Sequence, residues 1–346
     1  MSFALTLLLS MTPVAADVSR ARYLMGTVCE VTAPSLSGDD AGRARTAAAL
    51  EAALEEIARL ERILSDWRPD SEMSRLNRQP AGAPFTCSLD LFDFLSVGER
   101  LSAATGGAFD MTVGPLVKLY DLRGAGRWAG ASEVAATLKS VGSRHLRLDG
   151  ASRSVTLGAA GMALDPGALG KGYALDAAAR TLRARGVDRA LLNFGGQVLA
   201  LGAPEGKDGW EVALSHPRRR HEAVMTLVLR DASLSTSANV ELGKVVDGRD
   251  LGHVVDPGTG LPVSWRGSAT VVAGTAADAD ALSTALLVMG LERGLAWADR
   301  HEGLTAIFLD EDERGQLNVR TGPGLEKLHA TPLPTTADGA AESGGS

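Results

Sequence analysis

Aromatic side chains are scarce: Phe, Trp and Tyr make up 4% of the 346 residues. Rows of stacking rings of the kind that hold single-stranded nucleic acid are therefore not expected. Positive charge is also in deficit, with 35 Lys and Arg against 42 Asp and Glu and a net charge of −7. A general nucleic-acid binder needs a basic surface to displace counterions, so that class is set aside. Cysteine is limited to Cys29 and Cys87. Without a CxxC pair there is no zinc ribbon or thioredoxin-type redox site, and nothing in the sequence brings the two thiols together. HExxH, EF-hand and G-x-S-x-G patterns are absent, and beyond residue 16 no stretch reaches the ~18 apolar residues of a membrane span. Glycine, by contrast, is plentiful at 40 residues, which suits ligand loops built from backbone. Chain length sets a soft prior of about two domains.

Residues 3–16 (FALTLLLSMTPVAA) are apolar, too short to span a bilayer comfortably, and end in Val14-Ala15-Ala16, an A-x-A-like cleavage site. Residues 1–16 therefore read as a signal peptide, which favours a periplasmic location, although a positively charged start is missing. A buried N-terminal helix or strand is the competing reading. No cysteine follows the apolar stretch, so no lipid anchor is expected. Residues 20–330 form the body, with room for two subdomains. Residues 331–346 (TPLPTTADGAAESGGS) have the composition of a disordered tail.

Within the body, residues 22–32 suit a strand. Leu50, Leu54, Ile57, Leu60 and Leu64 fall three or four apart, so 39–66 is an amphipathic helix capped by Asp39 or Asp40. Residues 67–87 look like loop, and 88–104 like a helix started by Ser88 and stopped at Gly106-Gly107. A short helix capped by Ser132 over 132–141 and strands over 144–149, 153–157 and 161–165 follow. Then come an Ala-rich helix over 167–186 and a run of strands from 188 to 236. The chain continues with a strand at 269–274, a helix at 277–300 broken near Gly290, and a strand at 303–309. This order is α+β, with mostly antiparallel strands.

Five segments can carry chemistry. In Asp165-Pro166-Gly167-Ala168-Leu169-Gly170-Lys171-Gly172, glycines and a lysine open a helix, an arrangement that favours phosphate. It is neither a Walker A loop nor G-x-G-x-x-G, and it also reads as a plain turn feeding a packed helix. Asp280 and Thr284, at i and i+4, share a helix face and are hard oxygen donors suited to Mg²⁺. A carboxylate favoured by the helix dipole is the blander reading. His253 precedes the turn-rich Asp256-Pro257-Gly258-Thr259-Gly260 and is either an acid/base group or a structural histidine. Ala108-Phe109-Asp110 sits between glycines as pocket wall or turn. Trp67 either covers a planar ring or packs in the core. The basic run His216–His221 reads as a solvated loop.

Taken together, these segments resemble the ApbE-type FAD:protein FMN transferases. The matching stretches are MGT (25–27), SDWRPDSEMSRLN (65–77), TGGAFDMTVGPL (105–116), LDPGALGKGYALD (164–176), LLNFGGQVLALG (191–202), LSTSANVE (234–241), HVVDPGTGLPV (253–263) and ADADALSTALLVMG (277–290). The resemblance implies an α+β, T-fold-like architecture of antiparallel sheets packed with helices. It implies FAD as donor and Mg²⁺-dependent transfer of FMN to a Thr or Ser hydroxyl, releasing AMP. The acceptor it implies is an exported redox or electron-transfer protein. By the same resemblance, Met25, Ala108, Phe109 and Asp110 contact FAD, and Trp67 stands for an aromatic, usually Tyr, beside the flavin. Asp165 and Lys171 hold the ribose–pyrophosphate side, and His253 sits near the pyrophosphate. The Ala168 carbonyl, Asp280 and Thr284 bind the metal, with Ser283 as an extra ligand. His253 and Asp280 are the catalytic candidates, with the proton acceptor open between His253 and a metal-proximal carboxylate such as Asp278. Three positions depart from the family pattern: Gln197 for Asp, Ala238 for Gly and Pro166 for an apolar residue. The first two lie near the acceptor or AMP side. Two other functions remain open at this level: an FAD pyrophosphatase that uses water as acceptor, and a non-catalytic periplasmic FAD-binding protein.

Overall fold

The structure is a computed structural model that describes residues 17–239 and 244–334. The expected signal peptide, residues 335–346 of the expected tail and the end of the 234–241 segment lie outside the described residues.

Where one strand is expected over 22–32, the chain makes a hairpin of β1 (Asp17–Leu24) and β2 (Thr27–Pro34). Met25 and Gly26 adopt φ of +44° and +81°, the two left-handed positions that a two-residue hairpin turn requires. Helix α1 (Asp40–Leu64) starts as expected, with the Asp39 carboxylate accepting from the Gly42 amide at 2.8 Å. Its buried stripe carries Leu50, Leu54, Ile57, Leu60 and Leu64. The segment read as loop holds α2 (Glu72–Asn77), capped by Ser71, and β3 (Pro84–Thr86). Ser88 caps α3 (Leu89–Ala104), and α4 (Gly114–Leu119) and α5 (Ala131–Thr137) follow. The cap of α5 is Gly130 and not Ser132, because the Glu133 carboxylate reaches back to the Gly130 amide at 2.8 Å and starts the helix earlier. Strands β4 (Leu146–Asp149) and β5 (Ser154–Leu157) pair with each other and β5 pairs with β3. Residues 161–165 are not a strand; the Asp165 amide donates to the Met111 carbonyl at 2.7 Å.

Helix α6 (Gly170–Ala184) leads to β6 (Ala190–Phe194), β7 (Gln197–Leu201), β8 (Trp210–Ser215), β9 (Ala223–Leu229) and β10 (Ala232–Ala238). A small hairpin of β11 (Lys244–Val246) and β12 (Arg249–Leu251) precedes β13 (Gly267–Ala273). Helices α7 (Ala276–Met289) and α8 (Leu291–Ala298) part at Gly290, as expected. The chain ends in β14 (Leu304–Glu311), an unexpected β15 (Leu317–Thr321) and β16 (Thr331–Pro332). The last of these corrects the tail boundary, since Thr331 and Pro332 pair with β9.

Eight strands form one antiparallel sheet in the order β1-β2-β6-β7-β10-β13-β14-β15. Side chains alternate between its faces with the strand period of two. Leu192 and Phe194 join α1, α6 and α7 in the main core, whereas Leu191 faces Trp210 and Leu227 of the small sheet β16-β9-β8. This is the α+β architecture that the sequence implied. A third apolar cluster, with Leu116, Tyr120, Val134, Leu251 and Val255, fixes the loop that carries His253. There the Tyr120 hydroxyl donates to the Gly260 carbonyl at 2.9 Å. Cys29 and Cys87 are both buried free thiols. No helix among the described residues is long and apolar enough to cross a membrane.

Candidate active site

A cleft of about 530 Å³ opens where the N-terminal ends of α6 and α7 meet the β1–β2 turn and the loops after β8 and β12. That volume is ordinary for a small-ligand site. Ten of the expected site residues line it: Met25, Ala108, Phe109, Asp110, Asp165, Ala168, Lys171, His253, Asp280 and Thr284. Trp67 and Ser283 do not.

Glycine makes the helical corner possible. A Cβ on Gly172 would lie 2.1 Å from the Ala276 carbonyl oxygen, so no other residue lets α6 approach α7 this closely. The approach lets the Gly172 amide donate to Asp280 Oδ2 at 3.0 Å and brings Lys171 Nζ within 3.6 Å of Oδ1. Asp176 of α6 returns the bond, accepting from the Ala276 and Ala277 amides at 2.8 and 2.9 Å. Burial pushes the Asp176 carboxyl pKa up while those two amides hold it down. Sequence reasoning missed Asp176; its signal is a carboxylate on the apolar side of an Ala-rich helix. One turn beyond Asp280, Thr284 Oγ1 lies 3.0 Å from Ser237 Oγ. Ser283 is fully buried behind the cleft wall; it donates to the Asp280 carbonyl at 2.9 Å and lies 2.8 Å from Ser237 Oγ.

Opposite this corner, the Met25 amide donates to Glu61 at 2.9 Å, which holds the strained turn in place. The Asp110 carboxylate accepts from the Thr112 and Ser143 amides, both at 2.8 Å, so it organises backbone as well as lining the cleft. Asp165 accepts from the Gly167 amide at 2.8 Å and from Arg123 at 2.7 Å. Arg123 also binds Asp66, and its guanidinium lies 4.7 Å above the ring of Trp67, which is 69% exposed. Trp67 is thus tied to the cleft rim through Arg123, a residue that sequence reasoning did not single out. Burial and the neighbouring Asp165 raise the Asp66 pKa, against the opposing pull of Arg123.

His253 has its Nδ1 buried with no partner among the described residues. Burial, helped by the cations Arg220 and Lys171, pushes its pKa down to about 4, so the ring is neutral at neutral pH. The run 216–221 is not the solvated loop expected. His216 is 1% exposed, and Glu311 on β14 gathers it together with Arg218 and Arg219. Consequently Ser215, His216, Pro217 and Arg220 line the cleft. The partner that draws the run inward lies far along the chain, which no local pattern reveals.

No cluster of three or more His, Cys, Asp or Glu suited to a metal is present among the described residues. Beside Lys171 the cleft lining instead includes the Asp280 carboxylate, the Thr284 hydroxyl and the backbone of Ala168, while the Asp110 and Asp165 carboxylates already accept from backbone amides and Arg123. The three groups beside the lysine are hard oxygen donors. Such a set fits Mg²⁺, which keeps several waters and shares phosphate oxygens, and does not fit the nitrogen and sulfur preferences of zinc.

An FAD:protein FMN transferase of Treponema pallidum (strain Nichols) is 33% identical over 329 residues, covering 89% of this chain and 88% of that protein. Its namesake in Salmonella typhimurium (strain LT2) is 31% identical over 299 residues, covering 84% and 83%. Among solved structures, the apo flavinyl transferase ApbE of Pseudomonas stutzeri matches with a TM-score of 0.78 at 29% identity, over 90% of this chain and 96% of that one. The ApbE protein of Thermotoga maritima matches at 0.79 and 26% identity, over 90% and 99%. The family model described as the ApbE family matches residues 25–308, a span that contains every residue of the cleft discussed above, and the chain belongs to that family.

Proposed function

We propose that this protein is an FAD:protein FMN transferase that moves FMN from FAD to a Thr or Ser hydroxyl of an acceptor protein and releases AMP. The observation that carries this reading is the meeting of Lys171, Asp280 and Thr284 at the joined helix ends inside one cleft. A dinucleotide diphosphate is the ligand such a corner suits. The positive end of the α6 helix dipole and the Lys171 ammonium favour its negative charge. Asp280, Thr284 and the Ala168 carbonyl would hold Mg²⁺, which neutralises charge on the phosphates and on departing AMP.

The hydroxyl oxygen of the acceptor forms a bond to the FMN phosphorus as the bond from that phosphorus to the AMP oxygen breaks. The hydroxyl proton needs a base. His253 is neutral, lines the cleft and has an unpartnered ring nitrogen, so it takes that role. Asp278, the other carboxylate near the metal residues in sequence, is bound to Arg100 at 2.6 Å and is not part of the cleft lining. Met25, Phe109 and the Trp67–Arg123 pair supply the apolar and planar contacts of a flavin. The acceptor is an exported redox or electron-transfer protein, met in the periplasm.

Mass spectrometry of candidate exported redox proteins, after incubation with this enzyme, FAD and Mg²⁺, tests the reading. A covalent FMN-sized adduct with matching AMP is expected. Free FMN and AMP without an adduct would indicate hydrolysis, and FAD binding without AMP would indicate a carrier.

A further inference from the structure

Six buried side-chain polar atoms have no hydrogen-bond partner among the described residues, and four belong to residues that line the cleft: Gln197, Ser215, His253 and Ser268. Leaving such a group unpaired costs on the order of 1–3 kcal/mol, so their concentration marks where a ligand completes the bonding. The serine hydroxyls can rotate toward other acceptors, and His253 already has a task. Gln197 differs from these. It is 2% exposed, and its Nε2 donates to the Ala276 carbonyl at 2.7 Å. A backbone carbonyl only accepts, so the amide nitrogen must face it and Oε1 must be directed elsewhere. That oxygen is the atom without a donor.

Its position narrows the ligand chemistry. Ala276 is the first residue of α7 and the one against which Gly172 packs, so Gln197 stands beside the corner that suits a diphosphate. A carbonyl oxygen repels phosphate oxygens but accepts from a hydroxyl, and a diphosphate linking two nucleotides is flanked by sugar hydroxyls on both sides. A neutral amide also adds no further negative charge near Asp280. The depth of the side chain suits a small molecule filling the cleft better than a protein side chain arriving from solvent.

We infer that Gln197 Oε1 accepts a hydrogen bond from a sugar hydroxyl of the bound dinucleotide, on either the ribityl chain of the FMN half or the ribose of the AMP half. This rests on FAD being the donor. The test is titration calorimetry of FAD, FMN and AMP, with Mg²⁺, against the wild type and Gln197→Met. Single-deoxy analogues of the FMN ribityl chain and the AMP ribose complete the set. The variant should bind FAD and one of the two halves about tenfold more weakly, leaving the other half unchanged. The wild type should discriminate about tenfold against one deoxy analogue of the affected half, and the variant should not.

Equal affinities in the two proteins, with FAD still bound by both, would overturn this inference alone. A uniform loss across FMN, AMP and all analogues would assign Gln197 to holding α7 and would also overturn it. Wild-type protein that binds every deoxy analogue as tightly as its parent would do so without any variant. Wild-type protein that does not bind FAD at all would instead remove the flavin-transfer reading on which the inference stands.

Discussion

The two sides of the cleft are built in opposite ways. At the helical corner, the backbone linkages are short and shielded: a glycine with no room for a Cβ, a carboxylate 4% exposed, and amides of each helix bound by the other. At the rim, one guanidinium, a third exposed, bridges Asp66 and Asp165 and lies over an exposed indole. Buried, backbone-anchored contacts hold positions to fractions of an ångström, whereas ion pairs made through a partly exposed guanidinium are more open to screening by salt and adjust. Under the proposed function, the groups that must align with a reacting phosphorus would be on the rigid side, and the surface that receives a large planar ring would be on the adjustable side.

The sharpest break in that comparison should come from Asp280→Ala. Mg²⁺-dependent transfer should fall by roughly 10³-fold or more while circular dichroism still reports a folded protein. Full Mg²⁺-dependent activity would detach the corner from the chemistry. His253→Ala should lower kcat by about 10²–10⁴-fold with a much smaller change in FAD affinity, and an unchanged turnover would remove it from proton transfer. Gly172→Ala tests rigidity itself: the added methyl must push the helices apart, for a loss of about 1–3 kcal/mol in urea unfolding together with reduced activity.

His253 also gives the molecule a pH signature. The unfolded chain takes up a proton there below its ordinary value of 6.5, but the folded protein resists until about 4. Stability should therefore decline as pH falls through that window, and His253→Gln should flatten this part of the melting-temperature profile. The smallest effect is expected at the rim. Arg123→Ala should weaken FAD binding only a few-fold and cost about 1–2 kcal/mol of stability, because Asp66 and Asp165, 11% and 12% exposed, lose their shared cation, and the wild type should lose part of the same affinity in high salt. A collapse of stability in that variant would show that the rim is as structural as the corner.

Much of this was legible in the sequence where the cause is local. The α1 stripe, the Asp39 and Ser88 caps, the break at Gly290 and the run of strands from 190 to 238 all follow from spacing and turn chemistry within a few residues. Ten of the residues that line the cleft could be named because their stretches resemble a known family, Met25 by that resemblance alone. What was hidden depends on distant partners. The hairpin at Met25 was missed because methionine is an unusual residue at positive φ. The basic run was misread because its collector, Glu311, lies on another strand, and Arg123 passed unnoticed because its two carboxylates come from separate loops. Asp176 and Gln197 act on the first residue of a helix that starts 100 and 79 residues later, respectively.

The reciprocal bonding of α6 and α7 also orders events in time. The donor amide at 172 and its carboxylate at 280 are 108 residues apart, so neither helix end is complete in a nascent chain that stops before α7. Closing so long a loop is slow and comes after local structure has formed. A partly made or proteolytically shortened chain would therefore carry the lysine and the glycine turn without the means to grip a nucleotide. Ligand affinity should report on completion of the polypeptide more sharply than helix content does.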